Sequence, residues 1–260
     1  MRPEPVHRVL LLGDPVGESL SPLFQNAAFA AANIPCRYEV RSVDAAGLED
    51  AIEGIRLDSG ILGANVTIPH KEAVLRSLDA VEPIAERVGA VNTISRDGRL
   101  LKGWNTDVEG FSKALGELGF DPRGRSAVIV GAGGAARAVV AALQPLASGL
   151  WVLSRNIDRA SRLCRDLGVG SGGPRRLDEL HALATRADLL VNATPVDAIP
   201  PGWAEDGRLL FDLRTRQSPA GRLMLLHQGA AAFQIWTGRP APVEAMRAAL
   251  DQAFPMVARG

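Results

Sequence analysis

Two cysteines, three lysines and a single tyrosine are all that 260 residues hold of those types, and each scarcity closes off a class of function. Cys36 and Cys164 stand alone, in no Cys-x-x-Cys or Cys/His spacing, so the reading is two small apolar core residues, no disulfide and no metal site. Basic and acidic residues balance at 29 each, which leaves no electrostatic footprint for nucleic acid or for an anionic membrane. No apolar run reaches the roughly 18 residues that would span a bilayer. The stretch Met1 to His7 carries two prolines and a glutamate where a basic, apolar signal sequence would stand. The expectation is a cytoplasmic protein without membrane contact. Hydrophobic residues make up 47%, enough for one large or two modest domains that fold without disulfide or metal staples.

What is present is an alternation of strands and helices. Val9 to Gly13 is an apolar run ending in glycine, as a buried strand does. A loop leads to Ser21, a candidate N-cap with Pro22 at the first helical position, and an Ala-rich helix runs to Ala32 before Asn33 and Pro35. Ser19 and Ser21 thus bring two hydroxyls to the strand's carboxyl end, although on this stretch alone capping is the better account of them. Arg37 to Val43 alternates like a strand, Gly47 to Ile55 reads as a helix and Gly60 to Val66 as the next buried strand. Asp79 to Val88 is expected to be helical. Gly89 to Ile94 and Leu100 to Trp104 form a hairpin around Asp97-Gly98. Asn105 or Thr106 can cap a helix from Val108 to Leu118, with Asp107 in its first turn, where a carboxylate suits the helix dipole. This alternation predicts a mostly parallel α/β sheet, with ligand-binding loops at the strand carboxyl ends.

Turn-rich Phe120 to Gly124 marks the entry to a second α/β unit. Ala127 to Val130 is a buried strand, Gly131-Ala132-Gly133-Gly134-Ala135-Ala136 a tight turn and Arg137 to Leu146 a helix. Glycines let backbone approach a pyrophosphate whose charge the helix N-terminus stabilises, so a Rossmann-type dinucleotide-binding domain is expected. The next strand, Leu150 to Leu153, lacks the acidic residue that would hold a ribose 2′-hydroxyl. It is followed by Ser154, Arg155 and Asn156, with Arg159 one turn on, which favours NADP over NAD; Asp158 alone runs against this. Gly168 to Gly173 reads as loop, Leu177 to Ala184 as a short helix and Asp188 to Asn192 as a strand. Ala193-Thr194-Pro195 closes that strand where a nicotinamide end would lie. Leu209 to Asp212 is a further strand, and two helices follow, about Arg222 to Trp236 and Pro242 to Phe254.

The stretch Asn65-Val66-Thr67-Ile68-Pro69-His70-Lys71 sets an amide, a hydroxyl and an amine close together at a strand end. Arginine is abundant and lysine occurs only at 71, 102 and 113, so a lysine here is a candidate for acid–base work that a guanidinium cannot do. A solvated surface lysine satisfies the same stretch.

Ser19-Leu20-Ser21-Pro22, Asn65-Val66-Thr67-Ile68-Pro69-His70-Lys71, Gly89-Ala90-Val91-Asn92-Thr93, Gly103-Trp104-Asn105-Thr106-Asp107, Gly131-Ala132-Gly133-Gly134-Ala135 and Asn192-Ala193-Thr194-Pro195 occur in this order, with Gln228 and Trp236-Thr237-Gly238 after them. In that succession the chain resembles the shikimate dehydrogenase family over nearly its whole length. The resemblance implies a substrate-binding and catalytic domain over residues 1–107, a Rossmann-type NADP domain over 108–236, and a C-terminal helix over 237–260 packing back on the first domain. It implies oxidation of shikimate to 3-dehydroshikimate with NADP, or the reverse, in the shikimate pathway of aromatic amino acid biosynthesis. Ser19, Ser21, Asn65, Thr67, Lys71, Asn92, Asp107 and Gln228 would hold the substrate, with Lys71 and Asp107 as the acid–base pair. Gly131, Ala132, Gly133, Gly134, Ala135, Ser154, Arg155, Asn156, Arg159, Ala193, Thr194 and Pro195 would hold the cofactor. The partner is a small molecule, and the protein a monomer or homodimer.

The chain departs from the family's pattern in two places. Only Leu213 to Leu223 separates Asp212 from Met224, where relatives carry a tyrosine and a further helix. Asp197 stands where a glycine usually follows the Thr-Pro segment. A quinate or aminoshikimate dehydrogenase, or a non-catalytic shikimate- or nucleotide-binding relative, therefore stands beside the shikimate reading.

Overall fold

A computed structural model describes residues 7–199 and 208–254. The expectation for Met1 to Val6 lies outside them, as does the C-terminal segment from 255 onward. The described residues divide into two compact units: one holds residues up to Glu86, Ala90–Thr106 and Leu226 onward, the other Arg87–Gly89 and Asp107–Leu225. The chain returns to the first unit at Leu226, inside a helix, where the sequence reading set the change at 237.

The first unit is built on a six-stranded sheet. Its strands are β1 (His7–Gly13), β2 (Cys36–Ser42), β3 (Ile61–Val66), β4 (Ala80–Val81), β5 (Thr93–Asp97) and β6 (Leu100–Trp104), in the spatial order β2-β1-β3-β5-β6-β4. β1 pairs in parallel with β2 and β3, and β4 with β6, while β5 alone runs against its neighbours. That reversal follows from the Asp97-Gly98 turn, where Gly98 takes the positive φ of 59° that a tight hairpin needs. The last five residues of β1 are all buried, as expected of a strand covered on both faces. Of these, Leu10 and Leu12 join Ala64, Val66, Ile94 and Leu101 in one core cluster. Helix α2 (Leu48–Leu57) closes this cluster with Leu48, Ala51, Ile52 and Ile55, the i, i+3, i+4, i+7 stripe of an amphipathic helix.

Helix α1 (Ser21–Ala31) starts one residue earlier than expected. Leu20 occupies the N-cap and Ser21 is the first helical residue, so the reading of Ser21 as the cap is corrected. The Ser19 hydroxyl instead accepts the Ser21 N–H at 3.2 Å, which serves one of the helix's orphan donors from outside. The expected helix from Asp79 to Val88 is also revised. Pro83 disfavours helical backbone in the residue before it, so Ala80–Val81 becomes strand β4 and only Pro83–Val88 is helical (α3). Asp79 is drawn to the sheet, accepting the Leu101 N–H at 2.7 Å.

The second unit opens with α4 (Asp107–Glu117) and carries a five-stranded, wholly parallel sheet. Its strands are β7 (Ser126–Val130), β8 (Gly149–Ser154), β9 (Gly172–Arg176), β10 (Leu189–Asn192) and β11 (Leu209–Asp212), ordered β11-β10-β7-β8-β9. The chain winds outward from β7 to β8 and β9, then crosses to β10 and β11, the doubly wound order of a dinucleotide-binding fold. Helices α5 (Gly134–Leu143), α6 (Ile157–Asp166) and α7 (Leu180–Ala184) connect the strands. β9 corrects the loop expected through Gly173. Its Gly-Gly-Pro composition reads as a turn, but a parallel partner in β8 and an edge position tolerate the proline.

Helix α8 (Pro219–Thr237) starts in the second unit and ends in the first, and α9 (Val243–Ala253) packs on α1. No helix among the described residues is long and apolar enough to cross a membrane.

Candidate active site

In the first unit the motif residues converge on the carboxyl ends of β1 and β3 and the amino end of β5. His70 is buried, and its Nε2 lies 2.6 Å from the Val43 carbonyl oxygen, which can only accept, so that nitrogen carries the proton. The bond ties the Thr67–Lys71 turn to the end of β2. The His70 N–H closes on Thr67 O at 2.9 Å and the Val91 N–H on Lys71 O at 2.8 Å, so the lysine's backbone is fixed on both sides. Lys71 itself is half-buried. Gly13 has no side chain because a Cβ would lie 2.9 Å from Ile68 O, and this turn packs directly on the end of β1.

Tyr38, Asn65, Asn92 and Gln228 form a continuous polar network. Asn65 is 5% exposed, and both N–H groups of its amide are used while its oxygen keeps one acceptor site. Nδ2 donates to the Asn92 carbonyl and to Thr93 Oγ1, both at 3.0 Å, while Oδ1 accepts from the Tyr38 hydroxyl at 2.8 Å. Asn92 is oriented by the Thr106 N–H, which donates to its Oδ1 at 2.8 Å. Its Nδ2 therefore faces Thr106 Oγ1 at 3.0 Å and Gln228 Oε1 at 3.4 Å. Gln228, 136 positions later in the chain, enters through α8, which approaches closely because Gly229 has no side chain. A Cβ there would sit 2.7 Å from Cζ of Phe24. Beneath it the Gln25 Nε2 donates to the Gly229 carbonyl at 2.9 Å.

Ser19 and Ser21 are tied to each other through the Ser21 N–H at the start of α1, and Thr67 lies half-buried at the head of the lysine turn. Asp107 is buried, the first residue of α4 and of the second unit's main segment. Tyr38, Thr93 and Thr106 are the members that sequence reasoning missed. Thr93 and Thr106 lay inside quoted motifs, whereas Tyr38 had no local signal beyond being the only tyrosine.

In the second unit, Gly131 has φ +123°, and a Cβ there would lie 2.9 Å from the Ala193 carbonyl oxygen. Both the backbone angle and the close approach of the β10 loop require glycine. Gly133 is the extended N-cap of α5, and its carbonyl accepts the Arg137 N–H at 3.0 Å. A Cβ on Gly133 would meet nothing within 4 Å, so protein packing does not explain that glycine, whereas a pyrophosphate at the N–H groups of Gly134 and Ala135 would. After β8, Ser154 Oγ accepts the Asn156 N–H at 3.1 Å, and Asn156 Oδ1 caps α6 by accepting the Arg159 N–H at 3.1 Å. These bonds hold the turn that carries Arg155, whose side chain is exposed, as is that of Arg159. The residues present therefore fit a dinucleotide bearing a 2′-phosphate.

The loop after β10 is shaped by Asn192, which is fully buried. Its Oδ1 accepts from the Thr194 hydroxyl at 2.7 Å and N–H at 3.1 Å, and its Nδ2 donates to Val196 O at 2.9 Å and Asp212 Oδ1 at 3.2 Å. Asp212 is gripped by Arg214, whose Nε and Nη2 donate to Oδ2 at 2.9 and 2.6 Å. The same Nη2 lies 3.3 Å from Asp197 Oδ1. The two departures noted in the sequence are thus joined by one guanidinium, and the charge of Asp197 is answered within its own unit.

Residues 11–94 match the family model for the shikimate dehydrogenase substrate binding domain, 114–199 that for shikimate / quinate 5-dehydrogenase and 221–250 that for the shikimate 5′-dehydrogenase C-terminal domain. The chain is 44% identical to a shikimate dehydrogenase (NADP+) of Moorella thermoacetica, over 95% of this chain and 93% of that one. It is similar in structure to the shikimate 5-dehydrogenase of Thermus thermophilus in complex with NADP(H) and shikimate, with TM-score 0.82 and 33% identity over 95% and 99% of the two chains. A quinate dehydrogenase of Corynebacterium glutamicum in complex with NAD has TM-score 0.80 and 27% identity over 95% and 99%.

Proposed function

The chain belongs to the shikimate dehydrogenase family, and from that premise we propose that it interconverts shikimate and 3-dehydroshikimate with NADP, as a step of aromatic amino acid biosynthesis. The first unit takes the substrate and the second the cofactor. The observation that carries the substrate side is the network running from Tyr38 through Asn65 and Asn92 to Gln228. It consists of neutral groups whose mutual bonds set their directions. Such groups suit a polyol, because an analogue lacking a hydroxyl leaves one of them buried without a partner.

Ser19, Ser21, Asn65, Thr67, Asn92 and Gln228 are assigned to the hydroxyls and carboxylate of the substrate. Lys71 and Asp107 are assigned as the acid–base pair. Taking a hydride from a carbinol carbon turns the C–O bond into a carbonyl, and the hydroxyl proton must leave as it does so. A lysine amine can hold that proton, whereas a guanidinium cannot exchange it near neutral pH. NADP, when bound, supplies the hydride acceptor. Gly131, Ala132, Gly133, Gly134 and Ala135 are assigned to the pyrophosphate, and Ser154, Arg155, Asn156 and Arg159 to the 2′-phosphate. Ala193, Thr194 and Pro195 take the nicotinamide end. The protein works in the cytoplasm as a monomer or homodimer.

Reduction of NADP measured side by side with shikimate, quinate and aminoshikimate tests the reading, and shikimate is expected to be turned over fastest. Binding of shikimate without turnover of any of the three would overturn it.

A further inference from the structure

Tyr38 is the only tyrosine in the chain and is 2% exposed. It comes from the middle of β2, which supplied no site residue to the sequence reading. Its ring lies against Trp236, with centroids 6.1 Å apart and planes at 52°. Its hydroxyl donates to a residue assigned to the substrate, Asn65 at the end of β3, at 2.8 Å.

The protons of this group can be counted. The Asn92 carbonyl can only accept, so the amide nitrogen of Asn65 must face it and the amide oxygen must face Tyr38. An amide oxygen cannot donate, so the single phenolic proton goes to Asn65 Oδ1. The sequence of donors is Tyr38 to Asn65 to the Asn92 carbonyl, and neither can reverse without breaking another bond.

We propose that Tyr38 is a positioning residue for the substrate: its hydroxyl locks the Asn65 amide plane before shikimate arrives. Two strands on either side of β1, β2 and β3, are thereby tied by one hydroxyl, and the cost of ordering the amide is met in folding instead of binding. Burial raises the phenol's pKa and keeps it protonated, so the direction of the relay holds across the working pH range. The inference rests on the functional reading given above.

Tyr38→Phe keeps the ring and removes only the hydroxyl, which leaves Asn65 Oδ1 buried without a partner. It is expected to raise KM for shikimate about tenfold or more, with kcat and KM for NADP within about twofold. Because Tyr38 acts through Asn65, the same change made on top of Asn65→Ala should add less than about twofold, a non-additivity that general destabilisation does not produce. A chain with one tyrosine also allows a test without mutation. With 3-fluorotyrosine incorporated, a single 19F resonance reports on position 38. It should shift on titration with shikimate and half-saturate where shikimate binding does, and stay in place with NADP alone. Parallel rises of both KM values, full additivity with Asn65→Ala, or a fluorine resonance unmoved by shikimate would each overturn the proposal. If Tyr38→Phe does not fold, the fluorine titration decides. Failure of the unmodified protein to turn over shikimate would instead count against the functional reading itself.

Discussion

The indole N–H of Trp236 donates to the main-chain carbonyl of Ile94 at 2.9 Å, directly over Gly63. A side chain on Gly63 would lie 2.8 Å from that indole nitrogen and would fall on the Ile94 carbonyl itself. The bond fixes the end of α8 on the strands β3 and β5, and α8 also carries Gln228. A glycine in one strand is therefore what lets the end of α8 seat against the sheet.

Gly63→Ala should unseat this contact. Neither neighbour is the free end of a flexible side chain, so the expected loss is about 2 kcal/mol or more of stability, read as a fall in Tm by calorimetry. An unchanged Tm would show that α8 is held elsewhere.

Lys71→Ala should lower kcat by about a hundredfold to ten-thousandfold and change KM for shikimate little, as expected of a group that acts in the transition state. Steady-state kinetics with shikimate and NADP give both numbers. Activity surviving within a few-fold would remove Lys71 from the acid–base role.

Arg155→Ala should weaken NADP about 10- to 100-fold and leave NAD nearly unchanged, because a charge-assisted bond to a phosphate is lost only where there is a phosphate. Titration of each cofactor separates the two. Equal losses would mean that the arginine does not meet the 2′-phosphate.

The ion pairs around Arg214 predict an asymmetry. Asp197 is largely exposed, and its pair with Arg214 is worth about 0–1 kcal/mol, so Asp197→Asn should leave Tm almost where it was. Arg214→Ala strands the buried carboxylate of Asp212 and should cost about 3 kcal/mol. Urea unfolding of the two variants compares them, and similar losses would contradict the geometry.

Burial pushes the Cys36 thiol up to about 12 and the Cys164 thiol up to about 11, from an ordinary 9.0. The thiolate is the nucleophile, so the native protein should resist iodoacetamide at pH 8.5 while the unfolded chain takes up two equivalents. The native state keeps these protons to a higher pH than the unfolded chain does. Their contribution to stability is complete below pH 9 and is lost as pH rises from 9 towards the native values. Fast alkylation of the folded protein would show that one thiol is accessible.

Much of the candidate site was legible because its signals are local. Glycines at 131 and 133 answer to a turn between one strand and the helix after it, and Lys71 to a turn that begins two residues after Asn65 in β3. The β9 strand and the shortened helix before Val88 were not legible. A Gly-Gly-Pro segment becomes a strand because β8 offers it a ladder, and Asp79, outside the helix that Pro83 begins, finds its partner in Leu101 of β6.

The sequence by itself determined the kind of chemistry, through residue types whose roles depend on neighbours a few positions away: the Gly-rich turn at a helix start, the arginines after β8, the lysine among hydroxyls and amides. The tertiary structure alone decided how the hydrogen bonds run. Tyr38 and Asn65 are 27 positions apart, Asn92 and Gln228 are 136, and Asp197 meets Asp212 only through Arg214. A donor is directional and can be used once, so its partner is settled by which strands lie side by side, and no short stretch of chain contains that information.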